Sequence, residues 1–251
     1  MTNTNGTSIL VVDDDPDICQ NLSDILTDLG HHVDTATGGL AALELVRQKP
    51  YDVALLDLKM PDMDGLTLYR EIKKLQAGTV AIVVSAYASG PITEEVLSAG
   101  AWQVLPKPAD LDRLLRLVGE AIDQPLVLVV DDDHDLCQSL WDVLRERGYR
   151  VSLAHDEEEA AARLEGQPFR VVLIDMKLPQ SDGRRVFQIV RQHHPEARTI
   201  LITGHRTEME ELIQHVTAEG ADAVCYKPFD MSRLLEQLEG LSKRASGAPA
   251  R

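Results

Sequence analysis

Two sets of residues in this chain could perform the same chemistry. In the first, the acid pair Asp13-Asp14, the single acid Asp57, the hydroxyl of Ser85 and the dipeptide Lys107-Pro108 each follow a short apolar run. The second set is Asp131-Asp132, Asp175, Thr203 and Lys227-Pro228. From the first acid to the single acid is 44 residues in both sets, and from there to the hydroxyl 28; the lysine follows after 22 or 24. Three carboxylates in one pocket repel one another, and a hard divalent cation taking oxygen ligands relieves this most simply, which favours Mg²⁺. A carboxylate beside such a cation can attack phosphorus in line and become an acyl phosphate, while the metal and a lysine ammonium neutralise the transferring oxygens. The hydroxyl of Ser85 or Thr203 can then donate to a phosphoryl oxygen and couple its loop to the modification. Any one aspartate after an apolar strand is ordinarily a helix cap or a solvated loop residue. Recurrence of the whole constellation argues against that reading here.

The elements that must position these residues also occur twice. Leu10 to Asp15 finds its counterpart in Leu128 to Asp133 at an offset of 118, which also relates Cys19 to Cys137, Gly30 to Gly148 and Asp64-Gly65 to Asp182-Gly183. Beyond a two-residue insertion before the fourth helix the offset is 120, relating Gly100-Ala101 to Gly220-Ala221. A period this long signals duplicated domains rather than a solenoid. The expected domains are residues 8–123 and 126–243, with 244–251 as a flexible tail and Pro125 stopping the helix before the join. In each, five short apolar strands (from 9–12, 33–36, 53–56, 80–84 and 103–105 in the first) alternate with helices (40–48, 66–75, 92–99 and 111–122 among them). That pattern implies a parallel sheet covered on both faces, a doubly wound α/β domain, whose ligands sit beyond the carboxyl ends of the strands.

The chain has 251 residues, 44% of them hydrophobic, enough for a buried core in each half. With 25 basic against 41 acidic residues its net charge is -16, so contact with nucleic acid or an anionic membrane is not expected. Apolar runs such as Val80 to Val84 are too short to span a bilayer, and the first residues lack a basic leader, so the protein is read as cytoplasmic. Cys19, Cys137 and Cys225 fit reduced, buried thiols better than disulfides or zinc. No phosphate-binding glycine loop is present.

With these motifs in view, Val11-Val12-Asp13-Asp14, Leu56-Asp57-Leu58-Lys59-Met60-Pro61, Ser85-Ala86 and Leu105-Pro106-Lys107-Pro108, together with their second copies, the chain resembles response-regulator receiver domains. The resemblance implies two flavodoxin-like, CheY-like (βα)5 domains with five-stranded parallel sheets in the order 2-1-3-4-5. It implies that Asp57 and Asp175 accept phosphate from a histidine kinase or a histidine phosphotransfer protein. Asp14 and Asp132 would bind Mg²⁺ directly, Asp13 and Asp131 mostly through water, and the backbone carbonyls of Lys59 and Lys177 would complete the protein ligands. Lys107 and Lys227 would contact the phosphoryl group, each followed by a cis proline. Gly65 and Gly183 fit the tight turn into the third helix. The output would be binding to a downstream protein, with a homodimer left open, and the chain would catalyse only its own phosphorylation and dephosphorylation, acting as a relay, a phosphate sink, an adaptor or the front of a longer protein.

The pattern departs from the family at Val104 and Val224, where receivers usually carry the aromatic residue that swings inward on activation. Tyr87 and His205, with Lys59 and Lys177, occupy positions that tune phosphoryl lifetime in the family. His31-His32 and His193-His194 read as solvated, as does Glu157-Glu158-Glu159 in a first helical turn, where acids suit the helix dipole. Two competing functions are a pseudo-receiver scaffold with one inactive domain and a Mg²⁺-dependent phosphatase. The phosphatase is disfavoured because Pro16 and Asp17 stand where such enzymes need a hydroxyl residue.

Overall fold

A computed structural model describes residues 7–86, 90–178, 181–204 and 210–244. The chain divides between Gln124 and Pro125 into two compact units. The first runs β1 (Ser8–Val12), α1 (Pro16–Asp28), β2 (His32–Ala36), α2 (Gly39–Gln48), β3 (Val53–Asp57), α3 (Gly65–Leu75), β4 (Val80–Ser85), α4 (Pro91–Ser98), β5 (Gln103–Pro106) and α5 (Leu111–Asp123). The second runs β6 (Leu126–Val130), α6 (His134–Glu146), β7 (Arg150–Ala154), α7 (Glu157–Gly166), β8 (Val171–Asp175), β9 (Lys177–Leu178), β10 (Ser181–Asp182), α8 (Gly183–His193), β11 (Arg198–Thr203), α9 (Glu210–Ala218), β12 (Ala223–Tyr226) and α10 (Met231–Arg244). The sequence does not foretell the short antiparallel pair β9–β10, which follows the acceptor strand of the second unit.

Both large sheets are parallel, ordered β2-β1-β3-β4-β5 and β7-β6-β8-β11-β12, the same 2-1-3-4-5 arrangement. The central strands β3 and β8 are buried at every position because helices cover both faces. Strand order reverses beside β1 and β6, the switch point at which a doubly wound sheet opens a crevice.

Local chemistry fixes where each helix starts. Asp15 and Asp133 cap α1 and α6 by accepting backbone N–H groups, and Asp64 and Asp182 do the same for α3 and α8. The acids after each strand are therefore of two kinds, some spent on caps and some left to face the crevice. Gly30, at φ +91°, ends α1 in the left-handed region that only glycine enters freely. All three cysteines are free and buried. Among the described residues, no helix is long and apolar enough to cross a membrane.

Candidate functional site

Sheet register brings the sequence-predicted residues to one edge. Val12 pairs with Leu56, Asp57 with Val84 and Ser85 with Pro106, so Asp13, Asp57, Ser85 and Lys107 leave neighbouring strand tips together. In the second unit Val130 pairs with Ile174, Ile202 with Asp175 and Thr203 with Tyr226, with the same result. Backbone bonds from Lys107 N to the Ser85 carbonyl (2.9 Å) and from Lys227 N to the Thr203 carbonyl (2.8 Å) extend the last strand pairing to the lysine itself. The Lys107-Pro108 and Lys227-Pro228 bonds are both cis.

In the first pocket Asp13 and Asp57 are buried, Asp14 is exposed, and one oxygen from each lies within 4.8 Å of the others. Lys107 Nζ sits between the buried pair, 2.6 Å from Asp13 Oδ2 and 3.1 Å from Asp57 Oδ2. The second pocket repeats this with Asp131, Asp132 and Asp175, and Lys227 Nζ lies 2.7 Å from both Asp131 Oδ2 and Asp175 Oδ2. Burial pulls the ammonium pKa down, but the hydrogen bonds and charges of the two acids outweigh it, so Lys107 and Lys227 both sit above the ordinary lysine value. Burial also raises the pKa of Asp131, with the Lys227 hydrogen bond opposing it. Each pocket formally holds three carboxylates and one ammonium. Unscreened like charges at this spacing repel by roughly 3–4 kcal/mol at an effective dielectric of about 20, so the pocket is short of positive charge.

Supports lie just behind the acids. The Cys19 and Cys137 thiols donate to the Asp13 and Asp131 carbonyls, both at 3.3 Å. Burial pushes the Cys137 thiol up to about 12, so it acts as a neutral donor. Among the described residues, a histidine joins this layer in the second unit: His155 Nδ1 lies 3.1 Å from the Asp131 carbonyl, and its ring lies tilted by 38° against that of His134, with centroids 3.9 Å apart. Gly65 and Gly183 pass so close to the acceptor strand that a Cβ would stand 2.1 Å from the Asp57 carbonyl oxygen or 2.4 Å from that of Asp175.

Some expectations need correcting. Glu157 is half-buried rather than solvated: it accepts the Ser181 hydroxyl and faces Arg185 Nη1 at 3.8 Å. His194 is half-buried too, with Nε2 against the Leu164 carbonyl. Val104 and Val224 are partly buried and pack on the core of their units. Tyr87 and His205 lie outside the described residues. Sequence reasoning missed Asp62, whose carboxylate bonds to the start of α2. An acid five residues after Asp57, opposite a helix that begins with Gly38-Gly39, is the signal that could have found it.

A doubly wound domain with an acid pocket at its switch point and a lysine bridging two of the acids defines the class, and the particular family follows from comparison. The model described as "Response regulator receiver domain" matches residues 9–119 and 127–239. The chain belongs to that family, with two receivers of two-component signalling in tandem. It is 32% identical to Response regulator receiver protein Anae109_2439 of Anaeromyxobacter sp. (strain Fw109-5), over 93% of this chain and 94% of that protein. It is 40% identical to Transcriptional regulatory protein ZraR of Klebsiella oxytoca over 114 residues, which are 45% of this chain and only 26% of that protein. Among solved structures, the CheY-like receiver domain protein of Methanospirillum hungatei JF-1 shares 34% identity, covering 47% of this chain and 95% of that one at a TM-score of 0.46.

Proposed function

We propose that Asp57 and Asp175 each accept a phosphoryl group from a phosphohistidine, on a histidine kinase or a histidine phosphotransfer protein, and that the modification alters contacts with a downstream protein. The observation that carries this reading is the convergence, twice, of an acid trio at the strand tips with a lysine bridging two of its members, at distances that agree between the units to within a few tenths of an ångström. On this reading the chain works in the cytoplasm, where it turns over no substrate other than its own acyl phosphate.

The donor set suits Mg²⁺, since every side chain that could hold it offers a hard carboxylate oxygen and the trio formally exceeds its ammonium in charge. Asp14, Asp57 and the Lys59 carbonyl would hold it in the first domain, and Asp132, Asp175 and the Lys177 carbonyl in the second. Asp13 and Asp131 would act mostly through water, as the family resemblance implies; each gives one oxygen to the lysine and the other to a backbone N–H, of Asp15 or Asp133, and Asp175 is engaged in the same way by Lys227 and the Lys177 N–H. When bound, the cation offsets charge on the phosphoryl oxygens.

The remaining work falls to the chain. One Oδ of Asp57 or Asp175 forms an O–P bond as the P–N bond of the phosphohistidine breaks; the departing imidazole keeps the electron pair and takes up a proton. Lys107 or Lys227 turns from the acid pair toward the phosphoryl oxygens. Ser85 and Thr203, buried beside the acceptor, donate their hydroxyls once those oxygens are present. Incubation with acetyl phosphate and Mg²⁺, followed by intact-mass measurement, tests the reading. Up to two phosphoryl groups are expected on the native chain, one after Asp57→Asn or Asp175→Asn, and none after both. Uptake by the double variant would falsify the assignment of acceptors.

A further inference from the structure

The loop that leaves Asp57 is held from outside. Asp62 accepts the backbone N–H groups of Gly39 (3.2 Å) and Leu40 (3.0 Å) at the start of α2, besides that of Met63 (2.8 Å) in its own loop. The N-cap of α2 is Gly38, which has no side chain to offer, so the orphan donors of this helix are satisfied by a different segment. The contact is tight: a Cβ on Gly38 would stand 2.8 Å from Asp62 Oδ2, and one on Gly39 2.7 Å from Met63 Cβ.

The second domain makes the corresponding tie the other way round. Its helix α7 is capped by its own Asp156, which accepts the Glu159 N–H at 2.8 Å. The carboxylate that bridges to the loop comes from the helix, where Glu157 takes the Ser181 hydroxyl. Two chemically different devices therefore fasten the same loop to the same helix, and in both domains that loop begins at the acceptor.

Building on the proposed acceptor role, and on a divalent cation beside each acceptor, we propose that Asp62 is a positioning residue for the cation of the first site. The Glu157–Ser181 pair does this work at the second. Each fastens the loop that carries the Lys59 or Lys177 carbonyl, so that this oxygen does not have to be ordered when the cation arrives. A ligand supplied by backbone has no rotamer of its own to hold it in place; the Lys59 carbonyl depends on its loop's anchor, and that of Lys177 on the same kind of anchor together with the pairing of Lys177 with Asp182.

The test is a Mg²⁺ titration of the full chain, followed through the amide resonances of Gly65 and Gly183 so that both sites report in one sample. Asp62→Ala should weaken binding at Gly65 by about tenfold, the scale seen when an outer partner of a metal ligand is removed, with Gly183 unaffected; Glu157→Ala should do the reverse. Asp62→Asn, which keeps an acceptor oxygen for the α2 N–H groups, should retain most of the affinity. The double variant Gly38→Asp/Asp62→Ala gives α2 a cap of the Asp156 kind without restoring the tie, so its thermal midpoint should recover while its affinity does not. Recovery of affinity in that variant, equal loss with Asn and Ala, or unchanged affinity with Ala would each overturn the tether alone. A native chain in which Mg²⁺ moves neither resonance would overturn the tether and the functional reading together.

Discussion

Gly65→Ala probes whether the acceptor's position depends on the turn behind it. Gly65 is not held here by an unusual backbone angle; what excludes a side chain is the strand it crosses. An added Cβ would meet the Asp57 carbonyl oxygen at 2.1 Å, the Asp57 carbonyl carbon at 2.9 Å and Leu58 Cα at 3.0 Å, all of them backbone. No flexible side-chain tip can yield, and opening the first contact to about 3.0 Å requires the loop and strand tip to separate by about 0.9 Å. Overpacking of this kind costs about 1–3 kcal/mol. For a domain of this size, that lowers the midpoint by roughly 4–12 °C. A displacement near 1 Å of a reacting group is also worth about a hundredfold in rate. Acetyl phosphate labelling of Asp57, resolved by peptide mass mapping, should therefore slow by about two orders of magnitude, while labelling of Asp175 keeps its rate. Gly183→Ala supplies the graded control, since its closest contact is 2.4 Å and the shift needed is smaller. Labelling of Asp57 at the native rate in Gly65→Ala, with an unchanged midpoint, would refute the argument that this crossing sets the site.

The other predictions concern the charges and the buried thiols. Lys107→Met and Lys227→Met should each destabilise their domain by about 1–3 kcal/mol in Mg²⁺-free urea denaturation, because two buried acids lose their shared donor, and added Mg²⁺ should return part of that loss. Since ion pairing raises both lysine pKa values, the stability they add is present below the ordinary lysine value of 10.5 and is lost as the pH climbs through the higher folded value; an alkaline titration of the midpoint checks the sign. Tyr51→Phe removes a 2.6 Å bond to Asp34 and should cost about 1.5 kcal/mol at neutral pH. Burial raises the Asp34 pKa, but Lys49 and Tyr51 together hold it below 3.8, so its contribution is present above that value and fades as the pH falls through the folded value; in urea melts the deficit of Tyr51→Phe should shrink only in that acid range. Native Cys137, with its thiol pushed up to about 12, should resist a disulfide reagent at pH 8 and react promptly in urea.

The fold was legible because its signals are local and repeated. Fully apolar runs such as Leu126–Val130 have little choice but a doubly covered parallel strand, and aspartates followed by helical periodicity mark starts such as Asp15-Pro16. The site was legible because strand-tip residues in such a sheet share one edge whatever their separation in sequence. What stayed hidden depends on which segments meet across a loop. Nothing in the run Glu157-Glu158-Glu159 distinguishes the first acid, which bridges to Ser181, from its exposed neighbours. His194 likewise reads as a surface histidine until the end of α7 supplies the Leu164 carbonyl that it faces.

The two receivers hold their chemistry fixed while the scaffold behind it changes. In the first, the buried Tyr69 hydroxyl donates to the Gly100 carbonyl at 2.6 Å. In the second, Phe187 stands at that position, and the corresponding carbonyl, of Gly220, accepts from Arg191 Nη2, also at 2.6 Å. A bond made by a rigid ring has been replaced by one from a guanidinium that also reaches Ala197 and Thr199 and stacks on Phe187. The tie from loop to helix changes in the same manner, from Asp62 to Glu157–Ser181. With Val104 and Val224 partly buried where receivers usually carry an aromatic ring, neither domain has that ring to relocate. Backbone hydrogen bonds join Ser85 to Lys107 and Thr203 to Lys227 across the last strand pairing. The two copies thus keep matched pockets on unlike supports.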